Sequence, residues 1–128
     1  MEVRKDLKYT KEHEWVKSDE EEIVLGLTAH AVEQLGGITF FDLPDEGSEV
    51  SKGDEVATVE SVKAASPVYA PATGSVIAVN SGLADQPETA DESPYDDGWI
   101  CRIKPSKPEE LDELMDAASY EDYLKTLQ

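Results

Sequence analysis

Between Glu55 and Val79 the chain reads as short β-prone segments broken at close intervals by turn-forming residues. Glu55-Val-Ala-Thr-Val-Glu60 runs into Ser61-Val-Lys-Ala64, then Val68-Tyr69, then Pro71-Ala-Thr-Gly74 and Ser75-Val-Ile-Ala-Val79. This rhythm predicts a small barrel or sandwich. Pro67 and Pro71 confine the return segment to an edge or to irregular pairing, because proline donates no ladder hydrogen bond. The 128 residues suit one domain. A chain of this length buries roughly two-thirds of its unfolded surface, so its core needs neither disulfide nor structural metal.

The flanks fit the same plan. Tyr9 to Lys17 and Ile23 to Leu27 are predicted to pair antiparallel across the acidic turn Asp19-Glu-Glu-Glu22. Thr28 is placed to cap a helix from Ala29 to Leu35, with Val32 and Leu35 as its apolar positions, and Gly36-Gly37 closes it. Ile38 to Leu43 is a strand stopped by Pro44, and Asp45-Glu-Gly-Ser48 is a turn. Residues 80–98 read as a long loop and Trp99 to Ile103 as a closing strand. Ser106-Lys-Pro-Glu109 matches a capping box, followed by Leu111, Leu114 and Met115 at helical spacing. A second helix is expected from Ser119-Tyr-Glu-Asp122, with Tyr120, Tyr123, Leu124 and Leu127 on one apolar face. The expected architecture is mostly β, a core over about 20–104 carrying a C-terminal helical extension over about 106–127.

Charge narrows the function. Eleven basic residues face 29 acidic ones, a net charge of −18 that repels phosphate backbones and anionic lipid alike. Nucleic acid and membranes are therefore excluded as expected partners, and the absence of a long apolar run or an apolar N-terminal stretch points to the cytoplasm. The acidity lies in the body, since residues 1–17 hold five bases and four acids. Cys101 has no cysteine to pair with, and no Cys/His cluster has metal-ligand spacing. His13 and His30 belong to no recognisable catalytic constellation, and neither a phosphate loop nor a nucleophile elbow is present. The chain reads as a protein without an active site of its own.

One residue stands apart. Between Lys52 and Arg102 the only base is Lys63, in the turn between two β segments. A surface lysine at a hairpin tip is the simple reading. A lysine displayed for acylation is the sharper one, because a tight turn presents its amine to a modifying enzyme.

The surrounding motifs favour acylation. Glu60-Ser-Val-Lys-Ala64, Tyr69-Ala-Pro71 and Gly74-Ser-Val-Ile-Ala-Val-Asn80 resemble the lipoyl-attachment hairpin of the glycine cleavage system H-protein family. Tyr9-Thr-Lys-Glu-His-Glu-Trp15, Gln34-Leu-Gly36, Leu43-Pro44, Ser93-Pro-Tyr95, Gly98-Trp99 and Glu110-Leu-Asp-Glu-Leu114 are similar to that family in the same order, from about residue 8 to 124. Val62 and Ala64 match neither the tip of biotin carriers nor that of 2-oxo-acid dehydrogenase lipoyl domains.

The resemblance implies a flattened barrel of two small sheets, the biotinyl/lipoyl-carrier hammerhead, with terminal helices packed against it. It implies lipoic acid in amide linkage to Lys63, with Glu60, Ser61, Val62 and Ala64 forming the attachment hairpin. It further implies service to a pyridoxal-phosphate glycine decarboxylase, a tetrahydrofolate-dependent aminomethyltransferase, dihydrolipoamide dehydrogenase and a lipoate-attaching enzyme. Tethering gives such an arm a high effective concentration at each docked enzyme. Glu14 falls on the family position that pairs with the cationic cargo in a cleft; a partly solvated strand carboxylate is the alternative. Gly37, Pro67 and Asp91 depart from the family pattern at positions the resemblance places in the cleft. Two other readings stand beside this one: an H-like lipoate-binding protein carrying sulfur for a heterodisulfide-reductase-like complex, and an unmodified β-rich interaction module.

Overall fold

The computed structural model describes residues 3–19 and 21–127. Its strands are β1 (Lys8–Tyr9), β2 (Glu14–Asp19), β3 (Glu22–Leu27), β4 (Ile38–Asp42), β5 (Glu49–Val50), β6 (Glu55–Ser61), β7 (Ala65–Tyr69), β8 (Gly74–Val79) and β9 (Cys101–Pro105). Two antiparallel sheets result: a larger one in the order β1-β2-β3-β9-β8-β5 and a smaller one in the order β4-β6-β7. They face each other as a sandwich rather than closing into a barrel. Val16, Leu25, Ile103 and Val76 from the larger sheet meet Phe41, Val59 and Val68 from the smaller in one core.

Every described side chain of β3 after Glu22 is buried, an unusual pattern for a half-solvated sheet. Both faces of the strand are covered. Ile23, Leu25 and Leu27 point into the sandwich, while Val24 joins a second cluster with Leu7, Tyr9, Trp15, Tyr95 and Tyr120. Gly26, opposite Trp15 in the β2–β3 ladder, makes that second layer possible, since a Cβ there would lie 2.4 Å from the indole ring. The indole N–H donates to the Pro94 carbonyl at 2.8 Å.

The helices show where local signals held. Helix α1 spans Ala29–Leu35; the Thr28 hydroxyl accepts from the Ala31 N–H, and Gly36 ends it at φ 69°. The segment 80–98 is not a plain loop. It holds α2 (Gly82–Asp85) and α3 (Thr89–Glu92), each one turn long and each burying one apolar side chain, Leu83 and Ala90. The closing strand starts at Cys101 rather than Trp99.

The expected capping box at Ser106 does not form. Ser106 donates its hydroxyl to the Thr73 carbonyl instead, and a 3-10 helix runs over Pro108–Glu113. Beyond it, Met115 exchanges backbone hydrogen bonds with Tyr9 at 2.8 and 2.9 Å. The last helix, α4 (Ala117–Thr126), begins earlier than Ser119 because the Asp116 carboxylate caps it by accepting from the Ser119 N–H. Tyr120 is fully buried and stacks flat on Tyr9, with centroids 4.4 Å apart. Leu127 lies past the end of α4 and is exposed, so it does not belong to the buried face.

Candidate functional site

The predicted hairpin is β6 and β7, in register from Glu60 opposite Ala65 to Ala57 opposite Val68, after which the register shifts so that Glu55 faces Tyr69. β7 is an edge strand, with Pro67 opposite Thr58. Its turn carries Val62 and Lys63, and neither has the positive φ of the turns that usually close two-residue hairpins. The Ser61 side chain supplies what that geometry lacks. Its hydroxyl donates to the Ala64 carbonyl at 3.0 Å and accepts from the Lys63 and Ala64 N–H groups at 3.3 and 3.2 Å. Glu60 anchors the neighbouring strand, its carbonyl accepting from the Thr39 hydroxyl at 3.2 Å.

The tip also leans on the end of α1. The Val62 N–H donates to the Gly37 carbonyl at 3.1 Å. A Cβ at Gly36 would lie 3.1 Å from Lys63 Cε, so this glycine both ends the helix and leaves space for the lysine stem. Lys63 is exposed and Val62 is 75% exposed. Among the described residues Lys63 forms no ion pair, despite the surrounding acidity. Both the simple and the sharper reading of the sequence expect an exposed lysine at the hairpin tip, and that is where Lys63 lies.

Glu14 is not at the tip. It lies at the base of the hairpin, where its carboxylate accepts from the Tyr69 N–H at 2.8 Å and the Thr10 hydroxyl at 2.9 Å. Tyr69 is four residues beyond Ala65, roughly 13 Å along an extended strand. The carboxylate is 1% exposed, which overturns the alternative of a partly solvated strand residue. It borders a cleft of about 500 Å³ lined also by Tyr9, Thr10, Lys52, Tyr69 and Met115. An ion pair between Lys52 and Glu113 crosses the rim.

Gly37, Pro67 and Asp91 do not line this cleft, contrary to where the resemblance puts them. Gly37 adopts φ 110°, a conformation that suits glycine. Asp91 Oδ2 accepts from the Ile38 N–H at 3.0 Å and fastens α3 to the start of β4. Their departures are local structural choices. Thr10, Tyr69 and Glu113 stand in the quoted motifs, but the sequence reading gave none of them, nor Lys52, a place in the cleft, because the cleft joins distant segments.

Burial pushes the Glu14 carboxyl up to about 7, the charge of Glu12 adds to that rise, and the hydrogen bonds from Tyr69 and Thr10 oppose it. A carboxyl so poised ionises readily for an arriving cation. Because its folded-state value lies above the ordinary 4.5, its burial costs nothing extra below that pH and becomes unfavourable as pH rises through about 7. The stability of the wild-type protein relative to Glu14→Gln should therefore fall by about 3 kcal/mol between acid and neutral pH and then level off. Urea unfolding midpoints of both proteins over that range check this; parallel curves would mean that Glu14 titrates normally.

The match to known proteins covers both features. Residues 7–127 fit the family model described as "Glycine cleavage H-protein". The chain belongs to the glycine cleavage H-protein family. The glycine cleavage system H protein of Anaeromyxobacter sp. (strain K) is 47% identical over 125 residues, covering 98% of each chain. That of Teredinibacter turnerae is 51% identical over 120 residues, covering 93% of this chain and 92% of the relative. The crystal structure of a glycine cleavage system H protein from Mycobacterium marinum superposes with a TM-score of 0.86 at 33% identity, covering 97% of this chain and 98% of that one. Membership of this family agrees with the mostly β sandwich, and among the described residues no helix is long and apolar enough to cross a membrane.

Proposed function

We propose that the protein is a single-domain cytoplasmic lipoyl carrier of the glycine cleavage system, with lipoic acid in amide linkage to Lys63. The observation that carries this reading is an exposed lysine without an ion pair among the described residues, on a hairpin whose base opens on a cleft holding a buried carboxylate. When attached, lipoic acid supplies a dithiolane on a long arm, which accepts an aminomethyl group at one enzyme and yields it at another.

This chain's own residues do the rest. Ser61 stiffens the turn so that the amine faces outward, and Gly36 leaves the stem room to swing. Glu14, oriented by the Tyr69 amide and the Thr10 hydroxyl, offers a desolvated anion to a primary ammonium, and such a charge-assisted bond is stronger than a neutral one. No residue described here is assigned a catalytic role; the protein orients and shelters, as a carrier subunit. Its partners on this reading are the lipoate-attaching enzyme, glycine decarboxylase, aminomethyltransferase and dihydrolipoamide dehydrogenase. That the relatives are glycine cleavage system H proteins supports this assignment over a sulfur-carrying role with a heterodisulfide-reductase-like complex.

Lipoylated protein incubated with glycine decarboxylase and labelled glycine should acquire the glycine-derived carbon. Failure to do so, together with loading from a sulfur donor in the presence of the heterodisulfide-reductase-like complex, would reverse the assignment.

A further inference from the structure

His13 has a backbone that nothing in the sequence announces. Its φ is 67°, and it is the only non-glycine residue with positive φ among those described. A side chain is crowded there, so the conformation persists only where the surroundings enforce it. They do so from two directions. The His13 N–H donates to the Thr10 carbonyl at 3.2 Å, and the His13 carbonyl accepts from the Thr28 N–H at 3.0 Å. Its ring lies 4.4 Å from that of His30 on α1, and Nδ1 is 2.8 Å from the Tyr120 hydroxyl on α4.

The Tyr120 hydroxyl in turn lies 2.9 Å from the Thr28 hydroxyl, the cap of α1. One placement of protons satisfies the whole relay. A neutral His13 carries its proton on Nε2, Tyr120 donates to Nδ1, Thr28 donates to the Tyr120 oxygen, and Thr28 accepts from the Ala31 N–H. A proton on Nδ1 would reverse the first bond and take from the buried Thr28 hydroxyl the acceptor it uses. Burial and the neighbouring His30 both lower the His13 pKa, which favours the neutral form the relay requires.

The next residue along the chain is Glu14. Thr10, whose carbonyl holds the His13 amide, is also the residue whose hydroxyl holds the Glu14 carboxylate. We propose that His13 is a positioning residue: its ring, pinned to α4 by Tyr120 and to α1 by His30, locks the 10–13 turn and thereby sets how Glu14 enters the cleft. The C-terminal helix then governs the cleft without touching the cargo. The functional meaning rests on the reading of Glu14 given above, whereas the geometry does not.

The titration of Glu14 in the full, unlipoylated chain, followed by carboxyl-carbon NMR and assigned with Glu14→Gln, reads this coupling directly. Charged groups lining the cleft beside it are Lys11, Glu12, Lys52 and Glu113, and titratable rings packed on His13 are His30, Tyr120 and Tyr123; none of these except Tyr120 is altered. His13→Gly keeps the backbone conformation and removes the ring, while Tyr120→Phe removes only the hydroxyl. Both should lower the Glu14 titration from about 7 by about one pH unit, as the freed carboxyl gains water. Leu124→Ala, which thins the same apolar seat of α4 without removing a member of the relay, should leave it in place. An unmoved titration in both relay variants, or an equal shift in Leu124→Ala, overturns the proposal. If the relay variants shift Glu14 as expected but Glu14→Gln leaves cargo retention unchanged, it is the carrier role of Glu14 that fails and not the positioning.

Discussion

Lys63→Arg should gain no lipoyl group when incubated with lipoate and a lipoate-attaching enzyme, whereas the wild-type chain should gain one, mapped to the peptide containing Glu60 to Ala64. Arginine keeps the length and charge of the side chain but has no amine to acylate, so the loss should be complete. Intact-mass analysis with peptide mapping measures it. The competing outcome is modification at Lys52, the nearest base toward the N-terminus. Its amine is engaged with Glu113 at the cleft rim, whereas that of Lys63 has no such partner among the described residues. A lipoyl group on Lys52, or none on the wild type with an active enzyme, would remove the attachment hairpin from the account.

Glu14→Gln should shorten the lifetime of the aminomethyl-loaded carrier by roughly tenfold or more, since a buried bond between opposite charges is exchanged for a neutral one. The glutamine also cannot accept from both the Tyr69 amide and the Thr10 hydroxyl through equivalent oxygens, so part of the orientation is lost with the charge. Spontaneous hydrolysis, which breaks the sulfur–carbon bond and frees the labelled carbon as formaldehyde with ammonia, timed for both proteins, gives the ratio. A cargo without a cation should make the two proteins alike, and equal lifetimes with the aminomethyl group would leave Glu14 as a buried structural carboxylate.

Local signals in the sequence were reliable where a single residue settles a local geometry. Thr28 and Gly36 bound α1 because a hydroxyl can take an N-terminal amide and glycine tolerates the left-handed turn. Pro67 marked β7 as an edge for an equally local reason. The one-turn helices α2 and α3 escaped because each buries a single side chain, too little for any periodicity to register. The capping box at Ser106 failed through competition: the Thr73 carbonyl takes the Ser106 hydroxyl, and Glu110 binds the Thr73 amide and hydroxyl.

The site divides in the same way. The exposed turn at Lys63 was readable because it is contiguous in sequence, and Ser61 organises it from within the turn. The burial of Glu14 was not, because it depends on Tyr69, which is 55 positions away along the chain. The backbone of His13 was hidden more deeply still, its ring being held by Tyr120 across 107 positions.

A hairpin whose tip protrudes into solvent also exposes the open edge of its sheet, and an open edge invites another chain to add a strand. β7 is that edge. Pro67 sits mid-strand, where it deletes a backbone donor and interrupts any continuous ladder an incoming strand could build. Repulsion between like-charged copies, each carrying −18, works to the same end. Pro67, one of the three departures from the family pattern, thus lets the hairpin hold its lysine in solvent while its edge stays closed to fibril growth.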